Sequence, residues 1–175
     1  MEATQIDLSV ILLGAALPIA AFPVVRLLFL LNINVVMLIK VLQKLIAADN
    51  IDRAIKLCAA APSAVAARGT RALLTAYTNG VTDSLALRKA FEQATGGTKK
   101  TIAKFSWMSW AAIAIVAAGA LLSMNIVPQP YHFGLGGASL VLAYVGLSNS
   151  RKISRGALMV QEKVIEALES HSPAD

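Results

Sequence analysis

The sequence predicts an all-α integral membrane protein with three transmembrane helices, a helical cytoplasmic region between the first two, and a cytoplasmic helix at the C-terminus. Three observations predict it. Hydrophobic residues make up 57% of the 175-residue chain and charged residues 15%, with a mean hydropathy of +0.65, whereas soluble domains carry about 25% charged residues. Phe105 to Ser150 holds no Asp, Glu, Lys or Arg, enough chain for two helices of about 20 residues, each crossing roughly 30 Å of hydrocarbon. The basic residues fall in two blocks, Arg26–Lys104 and the tail from Arg151, and are missing from Met1–Asp7 and Asn125–His132.

The first span is read as residues 8–25, an uncharged run closed by Arg26 and about 27 Å long as a helix. A cleavable signal peptide would start with basic residues. Met1–Asp7 instead holds Glu2 and Asp7, so this segment is expected to stay as a membrane helix. Pro18 and Pro23 should kink it without ending it, because neighbouring helices can satisfy the freed carbonyls. One helix from Leu8 to Ile39 would measure about 48 Å, beyond the bilayer core, so Leu27–Ile39 is expected to protrude into the cytoplasm. There Asn32, Lys40, Gln43 and Lys44 lie near one face, while Leu38, Val41, Leu42, Leu45 and Ile46 supply an apolar stripe that needs a partner surface.

The rest of the cytoplasmic segment 26–104 should form shorter helices. Asn50 caps one that runs to about Ala60, Pro62 and Ser63 restart the chain, and Asn79–Gly80 stops a helix over Ala64–Thr78. Asp83 or Ser84 caps another to about Ala94. Gly96–Gly97 is either a hinge or is carried through into the second membrane helix. That helix spans 105–127, Pro128 and Pro130 force an extended turn, and the third spans 133–150. Residues 151–175 form the cytoplasmic tail, and residues 1–175 make a single membrane domain.

The basic blocks set the orientation, because Lys and Arg stay on the cytoplasmic side. The N-terminus is then outside and the C-terminus inside a bacterial-type inner membrane. The net charge of +6 is explained by this topology and by anionic lipid at the inner leaflet, so no nucleic-acid partner is implied.

The chemical inventory points away from an enzyme. One cysteine, Cys58, cannot form an intrachain disulfide or a thiolate-rich metal site, and beside Leu57 and Ala59 it reads as a reduced packing residue. His132 and His171 have no carboxylate pair nearby, so no catalytic residue, cofactor or metal site is expected. Small residues carry more information. Gly136, Ser139, Ala143, Gly146 and Ser150 recur at three- and four-residue steps, a stripe suited to close helix packing. Ala114, Ala117 and Ala118 beside Gly119 offer a second such surface, and Trp107 and Trp110 read as interfacial anchors.

Arg26-Leu27-Leu28-Phe29, then Leu45-Ile46-Ala47-Ala48-Asp49-Asn50, Ala54-Ile55-Lys56-Leu57-Cys58, Pro62 and Ala64-Val65-Ala66 together resemble the cytoplasmic part of the MotA/TolQ/ExbB proton-channel family. The basic exit Asn149-Ser150-Arg151-Lys152-Ile153 and the order of spans resemble it too. The resemblance implies a homo-oligomeric ring, a pentamer, around a single-span partner of the ExbD, TolR or MotB kind whose membrane Asp carries protons. It departs from the family in the spans. Ala111–Leu122 and the third span lack Thr, where the family has a Gly-Thr-Val-like motif and a Thr-rich face. The candidates for polar lining on the third span are Ser139, Tyr144 and Ser148, with Ser109 and Ser123 on the second. Ser139 falls in the packing stripe, whereas Tyr144 and Ser148 share a face and are the expected ion-path lining, with interhelical hydrogen bonding as the alternative use. Two functions stay open: a ring-forming subunit of an ion-driven membrane motor, and a non-conducting scaffold of similar architecture.

Overall fold

The computed structural model describes residues 8–29, 33–123 and 130–171. Six helices occur among them, and no strand: α1 Leu8–Phe29, α2 Val35–Ala47, α3 Ile51–Ala59, α4 Val65–Thr78, α5 Ser84–Ser123 and α6 Pro130–His171. The chain divides into two compact units, one of Met1–Phe29 and Ile102–Ser150, the other of Leu30–Thr101 and Arg151–Asp175. The long helices α5 and α6 each contribute to both.

In the first unit, α1 continues through Pro18 and Pro23 and past Arg26, beyond the end at residue 25 expected from charge. A helix need not stop at a charge when that charge finds an accommodating surface, and the Arg26 guanidinium carbon sits 5.6 Å from the Phe22 ring centroid, within cation–π range. The buried positions follow a heptad-like rhythm of three and four. They are Leu13, Ala16, Ala20, Val24 and Leu27 on α1, Ile102, Phe105, Ser109, Ala112, Val116 and Gly119 on α5, and Gly136, Ser139, Ala143, Gly146 and Ser150 on α6. This spacing keeps one narrow seam per helix turned to its neighbours. On α5 the seam is not the one expected: Ala114, Ala117 and Ala118 are exposed, and only Gly119 of that group is buried.

Among the described residues two helices, rather than the three expected, are long and apolar enough to cross a membrane: α1 over Val10–Leu28 and α5 within Ser84–Leu122. The segment 133–150 of α6 is diluted by Gly134, Gly136, Gly137, Ser139, Ser148 and Asn149, so its length is helical but its apolarity is weaker. In the two qualifying windows only 33% and 28% of residues are buried within the chain. A soluble core helix is covered on most of its surface, and these are not.

The second unit is built by caps and an ordinary apolar core. Asn34 opens α2, its Oδ1 accepting the Met37 N–H at 3.1 Å, so the helix begins there instead of extending from Leu27. Leu38, Ile39, Leu42 and Ile46 form its buried stripe, while Val41, expected among them, is 38% exposed. The C-terminal ends of α2 and α4 are Schellman turns. At the first, Asp49 takes a left-handed φ of 52°, and Asn50 N–H reaches Leu45 C=O at 2.8 Å. At the second, Gly80 has φ 88° and Val81 N–H reaches Ala76 C=O at 3.1 Å. Asn50 stands at the N-cap of α3, although its side chain makes no capping bond.

Asp83 caps α5, accepting the Leu85 and Ala86 N–H groups at 3.2 and 3.1 Å. The helix then continues past Ala94 and through Gly96–Gly97, the carried-through alternative of the two left open there. Likewise the C-terminal helix is not separate: α6 runs without a break from Pro130 to His171. The turn between α5 and α6 and its Pro128 lie outside the described residues, as does the extension at 30–32. Within the core, Gly69 lies under the fully buried Phe91 ring, which occupies the space a Cβ would need. Gln161, 4% exposed, donates from Nε2 to the Arg88 carbonyl at 3.5 Å and so ties α6 to the start of α5. The Thr70 hydroxyl is buried without a hydrogen-bond partner among the described residues, a cost of about 1–3 kcal/mol.

Because Gly69 leaves no room for a methyl, Gly69→Ala should lower stability by about 1–3 kcal/mol. Phe91→Leu in the same chain should recover part of that loss. Thermal and urea unfolding in mild detergent, followed by circular dichroism, measures both. A Gly69→Ala chain as stable as the parent would show that the ring moves aside at no cost.

Candidate functional site

The seam of the first unit is where the sequence-derived candidates gather. It is built in tiers. Leu13 and Ala16 of α1 meet Val116 of α5, with Leu135 of α6 against them. One level on, Ala20, Ala112 and Ala143 come together as an all-alanine tier. Beyond that, Val24 and Pro23 face Ser109 and Gly146. Numbers rise together on α1 and α6 and fall on α5, so the first and third helices run in the same direction and the second opposes them.

Glycines set how closely the helices approach. A Cβ placed on Gly146 would fall 2.7 Å from Ser109 Oγ and 3.6 Å from Val24 Cγ2. One on Gly119 would fall 3.1 Å from Leu13 Cδ2 and Cγ, whereas Gly136 has ordinary clearance of 3.6 Å. Gly146 is therefore the point of tightest approach between α5 and α6, the role that small residues take where no apolar driving force separates lipid from protein.

Two of the seam's hydroxyls are committed to backbone. Ser109 Oγ donates to the Phe105 carbonyl at 3.2 Å, and Ser139 Oγ to the Leu135 carbonyl at 2.8 Å; both side chains are fully buried. Tyr144 is elsewhere. One residue past Ala143 turns it about 100° around the helix, leaving it 72% exposed, and Ser148 is half-buried. Tyr144 and Ser148 are thus apart from the seam that holds Gly136, Ser139, Ala143 and Gly146. The side chain of Ser123 lies outside the described residues.

The outer surface of this unit is apolar. Ile11, Phe22, Val25, Trp107, Trp110, Leu121, Phe133, Val141 and Tyr144 are all about half exposed or more. Phe22 meets Phe105 edge-on, with ring centroids 5.9 Å apart. A surface of this kind is covered by lipid or by another protein in a working molecule.

Outside the seam the reactive groups stand alone. Cys58 is free and 1% exposed, and burial pushes its thiol up to about 11, which suppresses the thiolate needed for nucleophilic or metal chemistry. His171 Nε2 lies 3.4 Å from Asp49 Oδ1 at the edge of the second unit. Among the described residues, no three His, Cys, Asp or Glu side chains gather where a metal could sit. What the sequence reading missed is the alanine tier: Ala20 and Ala112 carry no distinguishing chemistry, and only their spacing from Leu13, Ala16, Val116 and Ser109 marks them.

The 2.7 Å clearance generates a double-mutant test. Gly146→Ala should destabilise the chain, and the loss should shrink in a Ser109→Ala background, which removes the oxygen in the way; coupling between touching residues is typically about 0.5–3 kcal/mol. Gly146→Leu should abolish the close approach altogether. Equal cost for Gly146→Ala with and without Ser109, measured by thermal unfolding in detergent, would place the two helices further apart.

Neither a protein-family model, nor a curated protein, nor a solved structure matches this chain.

Proposed function

We propose that this chain is a ring-forming subunit of an ion-driven inner-membrane motor or energy-transducing complex, packed as a homo-oligomer, a pentamer, around a single-span partner. The carrying observation is how charge divides between the two units. Of the 16 Lys and Arg, only Arg26 and Lys104 fall in the first unit, and its only acidic residues are Glu2 and Asp7. The second unit takes all the others. Compact units defined by chain contacts alone therefore separate an apolar body from a charged one, as a membrane part and a cytoplasmic part should be.

On this reading α1, α5 and the first half of α6 cross the membrane, with the N-terminus outside and the C-terminus in the cytoplasm. The third crossing is short of apolar residues because it is rich in small ones, a trade that helix-facing spans accept. The exposed apolar surface around Tyr144 and Val141 supplies the area for contact with copies, partner or lipid. The ionisable group of such a motor belongs to the partner, so the missing carboxylate in residues 105–150 is consistent with a surrounding ring. The quoted resemblance to the MotA/TolQ/ExbB family supports the same assignment.

One observation favours the second reading, a non-conducting scaffold. Ser109 and Ser139 spend their hydroxyls on their own helices. Of the expected lining, Tyr144 and Ser148 are then left to solvate a partner's carboxylate, which is costly to ionise in hydrocarbon.

Topology is tested by cysteines introduced in a Cys58→Ser background. Positions Thr4 and Gln129 should react with an impermeant thiol reagent applied to sealed cells, and Thr78 should not. Labelling at Thr78 would reverse the orientation.

Conduction is tested by Tyr144→Phe with Ser148→Ala, scored for assembly and for partner-dependent proton flux in one preparation. Intact assembly with flux reduced at least tenfold supports a path through these residues. Lost assembly returns them to packing, and no flux in the unmodified complex selects the scaffold.

A further inference from the structure

Within the second unit, the start of α2 and the stretch of α6 just after Ser150 enclose an open groove of about 410 Å³, within the range of small-ligand sites. Ile33, Val35, Val36, Ile153 and Met159 give it an apolar wall. Gly156 makes the wall close: a Cβ there would fall 2.7 Å from Val35 Cγ2. Two cations line the same groove, Lys152 and Arg155. Both are exposed, and neither has a carboxylate partner among the described residues. The Val35 and Val36 N–H groups open α2 without an intrahelical acceptor, and add the positive end of a helix dipole. Val36 is 59%, Met37 65% and Met159 50% exposed, so the mouth presents hydrocarbon to whatever surrounds it. An apolar wall beside uncompensated positive charge selects an anion that carries its own hydrocarbon.

We infer that this groove binds one anionic phospholipid, with an acyl chain along the wall of Val35, Val36, Ile153 and Met159 and the phosphate between Lys152 and Arg155. The inference rests on the membrane reading above. Along α6, Arg151 and Lys152 follow Ser150, the last residue of the charge-free run, which brings the groove to the depth of the inner-leaflet headgroups. A free phosphate would use the two cations and leave the apolar wall wet, whereas a zwitterionic lipid would fill the wall and set its own cation against Lys152 and Arg155.

The test titrates the delipidated full chain, in neutral detergent, with phosphatidylglycerol, phosphatidylcholine or inorganic phosphate, and counts bound lipid by native mass spectrometry. One phosphatidylglycerol should bind per chain, at least tenfold more tightly than phosphatidylcholine, and inorganic phosphate should not displace it at equal concentration. K152Q with R155Q should weaken it about fivefold per charge removed. K152R with R155K should keep it, and K99Q with K100Q, which removes two exposed charges elsewhere in the unit, should leave it unchanged. Equal affinity for the two lipids, displacement by phosphate, or equal weakening by K99Q with K100Q would each overturn the site. Carbonate extraction of the chain from vesicles separates this failure from the other: release condemns the membrane reading, whereas retention without lipid preference condemns the groove alone.

Discussion

Everything in the first unit depends on how closely three helices can approach without charge or strong polarity to hold them. A charge-free stretch placed in lipid must satisfy its backbone internally, which favours helices but says nothing about what they touch. Close approach is decided by side-chain size. Gly146 admits Ser109, Gly119 admits Leu13, and Ala20, Ala112 and Ala143 leave one methyl each between helices. Dispersion contacts fall off steeply with distance, so an extra methyl at such a point costs more than its own volume. Leu13, Leu27, Ile102, Phe105 and Val116 fill the seam between these small residues, while Ile11, Val25, Trp107, Leu121, Phe133 and Val141 are turned outward.

The second unit obeys a different constraint. Its helices α2, α3 and α4 are short, Asn34 and Asp83 cap helix starts through their side chains, and its apolar residues are large and central: Phe91, Leu42, Leu73, Leu74 and Val160 are all fully buried. Hydrophobic burial, not close backbone approach, holds it. Gly69 is the exception, and it is there to make room for Phe91. The same two helices, α5 and α6, therefore follow one packing rule in one stretch and the other rule in the next. Ile102, Phe105, Gly146 and Ser150 stand on one side of that change, and Leu87, Phe91, Ile153 and Val160 on the other.

That change explains what could be read from the sequence. Local signals worked where local chemistry decides: Asn50, Asn79–Gly80 and Asp83 each stand at a helix end, and the helix α4 fills the expected interval. They did not decide between alternatives where continuity depends on distant packing. Gly96 and Gly97 each weaken a helix by about 1 kcal/mol, yet α5 passes through them, since Phe91 and Thr95 before them and Ile102 after them are buried and hold the flanks. The end of apolarity at Ser150 was read as the end of a helix, although a helix can leave one environment for another without a break. On α6 the three-and-four spacing of Ser139, Ala143 and Gly146 was legible because the residues between them, Leu140, Val141, Leu142, Tyr144 and Val145, are large. On α5, Ala111, Ala112, Ala114, Ala117 and Ala118 are all small, so size alone could not pick out the face of Ala112, and the alanines at 114, 117 and 118 were chosen wrongly.

The same reasoning limits what the seam can do. A seryl hydroxyl bonded to the carbonyl four residues back, as in Ser109 and Ser139, is the standard way to hide a polar atom in a helix interface, and it leaves nothing to offer a passing ion. Releasing either hydroxyl would strand a donor in an apolar tier, at a cost comparable to any other buried unpaired group. If ions pass along this chain they must therefore use its exposed face, where Tyr144 stands clear of the seam and Ser148 lies one turn on. On the proposed membrane reading, a ring is what would turn such a face from lipid toward an enclosed lumen, so conduction would require oligomerisation: without copies around a partner, Tyr144 would have only lipid beside it.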